Sequence, residues 1–117
     1  MPNVPAGYRH FHDELALLKQ RLLDMSERAE SLVALSVEAL FERDRDKAIA
    51  VIEADEELDR LEVEAENQAI AMLALQQPMA RDLRFLIGAI KVSSDLERVG
   101  DHAVNIAQCA VRLVDQR

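Results

Sequence analysis

Glu97 and Asp101 stand four residues apart, and so do Asp55 and Asp59. At that spacing two side chains share one face of an α-helix, one above the other. The first pair interrupts a long apolar stretch. A hydrophobic seam that admits two carboxylates must solvate them, pair them or give them a cation. The second pair begins a longer stripe, Asp55, Asp59, Glu62 and Glu66, beside the apolar row of its own segment. Asp59 lies 19 residues before Pro78 and Glu97 lies 19 after it, so a tight connection near Pro78 brings both pairs to a similar height. Four carboxylates gathered there attract a hard or borderline cation, such as Mg²⁺, Mn²⁺, Fe or Zn²⁺, through oxygen ligands. Without a cation, like charges raise some of the carboxyl pKa values and weaken the fold. The same spacing also suits a solvated helix face, in which Glu62 or Glu66 pairs with nearby Lys and Arg. Asp55 to Glu57 reads as an ordinary charge run, which leaves Glu97 with Asp101 as the stronger candidate. Gly100, beside that pair, costs about 1 kcal/mol in a helix interior and signals a close backbone approach.

Three helices are needed to position these groups. Pro2, Pro5 and Gly7 suggest a short flexible lead over residues 1–8. Leu15, Leu18, Leu22, Met25, Ala29, Leu32, Ser36 and Ala39 then step by threes and fours, the seam of a helix over about 9–43. Glu42 to Asp46 ends that pattern and offers Asp44 or Asp46 as the N-cap of a second helix over about 45–76. Its seam reads Val51, Ala54, Leu58, Leu61, Ala65, Gln68, Met72 and Leu75. Pro78 disfavours helical geometry in the residue before it and suits the first position of a third helix over about 78–115. There one row is apolar throughout: Phe85, Ala89, Val92, Leu96, Val99, Ala103, Ile106, Ala110 and Leu113. A second face carries Leu83, Leu86, Ile90 and Val104, with Glu97 and Asp101 among them. Two apolar faces imply more than one neighbour. The spacing predicts an all-α, antiparallel three-helix bundle filling one domain, with surplus apolar surface that hints at a further layer from a partner chain.

Composition agrees. Half of the 117 residues are hydrophobic but only 3% are aromatic, with no Trp and three Gly, as long helices favour. A net charge of −8 argues against nucleic acid, because an acidic surface repels phosphates and lacks a basic patch. The lone Cys109 cannot form an internal disulfide, which fits a reducing cytoplasm. The opening MPNVPAGYRHFHDEL has no apolar signal-peptide core, and no run reaches membrane-spanning length. No Gly-rich phosphate loop, nucleophile elbow, HExxH or Cys pair is present, so no catalytic residue is expected and an enzyme is the minority reading.

Other polar residues read more plainly. His10 and His12 point apart at i, i+2, as exposed or interfacial groups. His102 lies about 100° around the helix from Asp101, which disfavours a shared ligand. Arg98 suits an ion pair with Asp95 or Asp101, and Asn105 extends the Asp101 stripe as a ligand or a surface amide. Asp82 falls where a helix N-terminus favours negative charge. Cys109 reads as a small packed hydrophobe.

Three segments, HFHDELALLKQRLLDM, FERDRDKAIAVIEADEELDRLEVEAE and LALQQPMARDLRFLIGAIKVSSDLERVGDHAVNIA, resemble the repeat of the PhoU family from about His10 to Ala107. QQPMARDLR and DLERVGDHAVNIA carry the resemblance most specifically. It implies an all-helical fold built from three-helix repeats, and metal clusters held by Glu/Asp-x-x-x-Asp motifs, here matched by Asp55 with Asp59 and Glu97 with Asp101. It further implies a non-enzymatic negative regulator. Such a protein is cytoplasmic and reaches the membrane through partners only: the ATPase subunit of the phosphate ABC transporter and a sensor histidine kinase. The implied cofactor is a divalent or trivalent metal ion, Fe, Zn, Mn, Ni or Mg. The family ordinarily carries two repeats in tandem where this chain has one. A homodimer that mimics the two-repeat molecule is therefore expected; the alternatives are a metal-free helical interaction module or a fragment with part of the regulatory function.

Overall fold

The computed structural model describes residues 6–116. They form three antiparallel helices, α1 (Ala6–Glu42), α2 (Arg45–Gln76) and α3 (Ala80–Asp115), each packed against both others in a bundle 69 Å long. The expected all-α three-helix bundle is the architecture found. The anticipated lead over 1–8 falls partly on residues 1–5, outside the described residues. Positions 6–8 are already helical, so α1 begins at Ala6. A single glycine, Gly7, disfavours a helix by only about 1 kcal/mol relative to alanine, too little to hold off a seam this long.

Two short connections set the geometry. Asp44 works on both sides of the first. Its N–H bonds back to the Ala39 carbonyl at 3.0 Å and closes α1, while Arg43 takes a left-handed φ of 54°. Its Oδ1 accepts from the Lys47 N–H at 3.0 Å and caps α2. The second connection departs from expectation. Gln77, at φ 41°, is the left-handed residue that ends α2, and the first residue of α3 is Ala80 rather than Pro78. Met79 is extended and lends its carbonyl to the Leu83 N–H at 2.8 Å, with no side-chain cap. Proline here shapes the link instead of starting the helix. Asp82 does sit in the first turn of α3.

The α1 seam is buried as its spacing predicts, with Phe11 added at one end and Leu22 only partly covered. In α2 the register differs at three places: Asp55 is buried and Ala54 exposed, Ala69 is buried beside a half-buried Gln68, and Leu75 is 80% exposed. In α3 the deepest line is Leu86, Ser93, Gly100 and Ala107, flanked by Ala89, Ala103 and Ala110. Val92, Val99 and Leu113, expected in the seam, lie exposed along its edge. Seven-residue steps keep a line facing its partner helices in a left-handed bundle, and the line that does so here is made of small residues. Ser36 and Ser93, both fully buried, donate to the carbonyls of Val33 and Ile90 at 2.8 Å, so neither hydroxyl is left unpaired.

Asp44→Ala removes the α2 cap while keeping the backbone bond to Ala39. Thermal and urea denaturation should show a loss of about 1 kcal/mol, with far-UV circular dichroism unchanged. An unaltered midpoint would mean that the cap contributes nothing.

Candidate metal centre

α2 and α3 run antiparallel, and this brings the two acidic pairs together. One carboxylate oxygen each from Asp55, Asp59 and Asp101 lies within 4.8 Å of the others. Glu97 lies beside them, near enough to Asp101 and Asp59 for both to raise its carboxyl. All four residues singled out by spacing therefore converge at one height of the bundle. Their environments are unequal. Asp55 is buried at 9% exposure, Glu97 is half-buried, and Asp59 and Asp101 face solvent. The residue that reads as part of a plain charge run is thus the innermost carboxylate of the group. It holds a core position that the sequence pattern assigned to Ala54.

The local fold explains how a carboxylate comes to be there. Gly100 on α3 faces Asp55 and Leu58 on α2 so closely that a Cβ at position 100 would lie 2.6 Å from Asp55 Oδ1 and 2.6 Å from Leu58 Cδ2. The close approach inferred from Gly100 is real, and its partner is Asp55. Asp55 Oδ1 is buried without a hydrogen-bond partner, a condition that ordinarily costs several kcal/mol for a charged oxygen (about 1–3 even for neutral groups).

Electrostatics point the same way. Burial, then Asp59 and Asp101, push the Asp55 carboxyl up to about 6. Burial, then Asp101 and Asp59, push Glu97 up to about 7. Glu62 is raised as well, first by burial and then by Glu66, Asp59 and Asp101. Among the described residues no Lys, Arg or His is ion-paired to any of the four carboxylates. Neighbouring arginines are engaged elsewhere: Arg60 with Glu57 and Glu64, Arg98 with Asp95 at 3.4 Å. An all-oxygen donor set, an excess of negative charge and one orphaned inner oxygen are the conditions that a hard cation satisfies.

The remaining candidates stay outside the cluster. His102 and Asn105 are exposed. His10 pairs with Glu14 at 2.5 Å, and His12 lies edge-on to Phe11. Cys109, expected to pack as a hydrophobe, is exposed and accepts from the Arg112 guanidinium at 3.1 Å. The QQPMARD segment contributes no ligand. It walls a cavity of about 580 Å³ at the far end of the bundle, about 27 Å along α2 from Asp59.

Fold and site together define a class: a three-helix bundle that presents facing acidic pairs on two antiparallel helices. The model of the PhoU domain matches residues 22–110. A "Phosphate-specific transport system accessory protein PhoU homolog" of Aquifex aeolicus is 40% identical over 103 residues, 88% of this chain and 47% of that protein. A homolog of the same name from Caulobacter vibrioides is 43% identical over 107 residues, covering 92% and 46%. The crystal structure of PhoU from Pseudomonas aeruginosa superposes with a TM-score of 0.88 at 35% identity, over 91% of this chain and 51% of that one. The chain belongs to the PhoU domain family. It spans about half the length of the curated relatives it matches.

The raised carboxyls fix the sign of a pH dependence. Between the ordinary carboxylate range and about 7, the folded state holds more protons on Asp55 and Glu97 than the unfolded chain does. Their contribution is complete at low pH and is lost as pH rises through about 6 and 7. Metal-free protein should melt at a lower temperature at pH 8 than at pH 5.5, and Asp55→Asn with Glu97→Gln should flatten that slope. A midpoint that rises with pH would contradict the burial of these groups.

Proposed function

We propose that this chain is a phosphate-responsive regulatory adaptor of the phosphate transport system, with a cation held between α2 and α3 by Asp55, Asp59, Glu97 and Asp101. The observation that carries the cation assignment is the buried carboxylate of Asp55, its Oδ1 without a hydrogen-bond partner, in a cluster of carboxylates that no basic side chain among the described residues pairs with. The regulatory assignment is supported by family membership and by relatives named as accessory proteins of that transport system. The cation is a divalent or trivalent ion such as Fe, Zn, Mn, Ni or Mg. Bound there, it would supply positive charge that ties two helices together, with no chemical step asked of it. The adaptor acts in the cytoplasm, links the transporter ATPase subunit to a sensor histidine kinase and represses the phosphate regulon when phosphate is plentiful. Among the described residues no helix is long and apolar enough to cross a membrane, which is compatible with docking through those partners.

Self-association is part of the proposal. Leu23 on α1 and Val92 on α3 are exposed and line one groove between the two helices, and Val99 and Leu113 are exposed further along α3, apolar surface that a second copy would cover. Elemental analysis and light scattering on one preparation should give stoichiometric metal and twice the mass of a monomer. Glu97→Ala with Asp101→Ala should lose the metal at unchanged helicity. Metal content unaffected by the double substitution would remove the site, and a stable micromolar monomer would remove the dimer.

The regulatory role has its own test. Deleting the gene in its host should switch on a phosphate-regulon reporter in phosphate-rich medium, and returning the chain should silence it. A reporter that stays off after deletion would leave a metal-binding or interaction module without this function.

A further inference from the structure

We infer that Gly100 is a positioning residue for the cation: its missing side chain is the space in which Asp55 is held as the inner ligand between α2 and α3. The inference rests on the cation reading above and adds a residue that touches no ion itself. A methyl at position 100 would lie 2.6 Å from Asp55 Oδ1 and 2.6 Å from Leu58 Cδ2, well inside van der Waals contact. The nearest atoms are the ends of two side chains, so both must turn if the backbones keep their distance. Leu58 is fully buried, and Asp55 sits one turn before it on the same buried face of α2. Alanine at position 100 must therefore push α3 away from α2 or turn the Asp55 carboxylate out of its place. The first movement takes Asp101 away from Asp55 and Asp59, and the second takes Asp55 away from both; the three now have oxygens within 4.8 Å of one another.

α3 supplies its own control. A Cβ built on Gly88, in the same helix, meets nothing within 4 Å. Two glycines of equal helix propensity thus make opposite demands. Gly88 can be replaced freely, whereas Gly100 is required by what lies opposite it. The role of Gly100 is exerted through Asp55, and this separates it from a glycine that merely lets two helices touch.

The test is Mn²⁺ titration of the metal-free chain by calorimetry at neutral pH, with helicity followed by circular dichroism. Gly100→Ala should weaken binding about ten- to a hundredfold, the range seen when a residue that orients a ligand is lost. Gly88→Ala should bind like the parent. In a background carrying Asp55→Ser with Leu58→Ala, where both contacts with the added methyl are cleared, Gly100→Ala should cause no further loss. Equal binding by Gly100→Ala and parent, or an equal loss in both backgrounds, would overturn the inference while leaving the cation site standing. If Gly100→Ala does not fold, Leu58→Ala with Gly100→Ala clears the apolar contact, and its comparison with Leu58→Ala alone decides the question. A parent chain that binds neither Mn²⁺, Fe²⁺ nor Zn²⁺ would overturn the site and the positioning role together.

Discussion

The contact between Gly100 and the Asp55–Leu58 turn governs the arrangement of this bundle. Along the deepest line of α3 the side chains are Leu86, Ser93, Gly100 and Ala107, so from Ser93 onward little bulk separates the two backbones. α2 answers with the Asp55 and Leu58 side chains, which occupy the space that Gly100 leaves. Interiors pack at crystal-like density, so the distance between the helices is set by the smallest residue on one side and the largest opposite it. That distance decides where four carboxylates meet. A wider bundle would hold Asp101 farther from Asp55 and Asp59, and a side chain in place of the glycine would crowd Asp55.

The cost of the arrangement is local. Asp55 occupies a core position, and its inner oxygen has no partner. Glu97 and Asp55 both resist ionisation, so protons partly meet a need that basic side chains do not. Such a group of acids is unfavourable in isolation. The bundle tolerates it because long seams on all three helices supply apolar burial elsewhere, from Phe11 and Leu18 at one end through Met25 and Leu58 to Ala39 and Ala110 at the other. Stability is thus invested along the length of the rods, while the middle of the α2–α3 contact is kept polar.

Much of this was legible in the sequence, and the exceptions share a cause. The α1 seam, the Asp44 cap and the common height of the two acidic pairs follow from spacing, capping chemistry and counting from Pro78. The errors concern rotation. A pattern that ranks positions by hydrophobicity assigned Ala54 to the core and Asp55 to solvent, and took the row of Val92 and Val99 for the α3 seam. In the structure close approach outranks hydrophobicity: the line of Ser93, Gly100 and Ala107 faces inward because it is small, and the valines remain at its edge. The left-handed residues that end α1 and α2, Arg43 and Gln77, carried no signal either, since glycine or asparagine is the usual mark of that geometry. Gly100 was the one visible clue to the true register, because a costly glycine within a helix implies something pressed against it.

The same geometry would make the proposed cation and protons alternatives at this site. Each neutralises the charge that α2 and α3 bring together, and each is favoured only while the helices stay close. A ligand that binds the native state and not the unfolded chain stabilises it by mass action. Occupancy of the acidic site by the proposed cation would therefore be coupled to the α2–α3 packing: whatever tightens the contact would raise affinity, and whatever fills the site would resist its opening. α1 contributes none of the four carboxylates, and its exposed edge with α3 lies on another side of the bundle. A partner seated on the α1–α3 edge would bear on the site through the one helix they share. α3 carries Gly100, Glu97 and Asp101 on the side toward α2, with Val92 and Val99 on the side toward α1, so displacement of this single rod changes both surfaces at once.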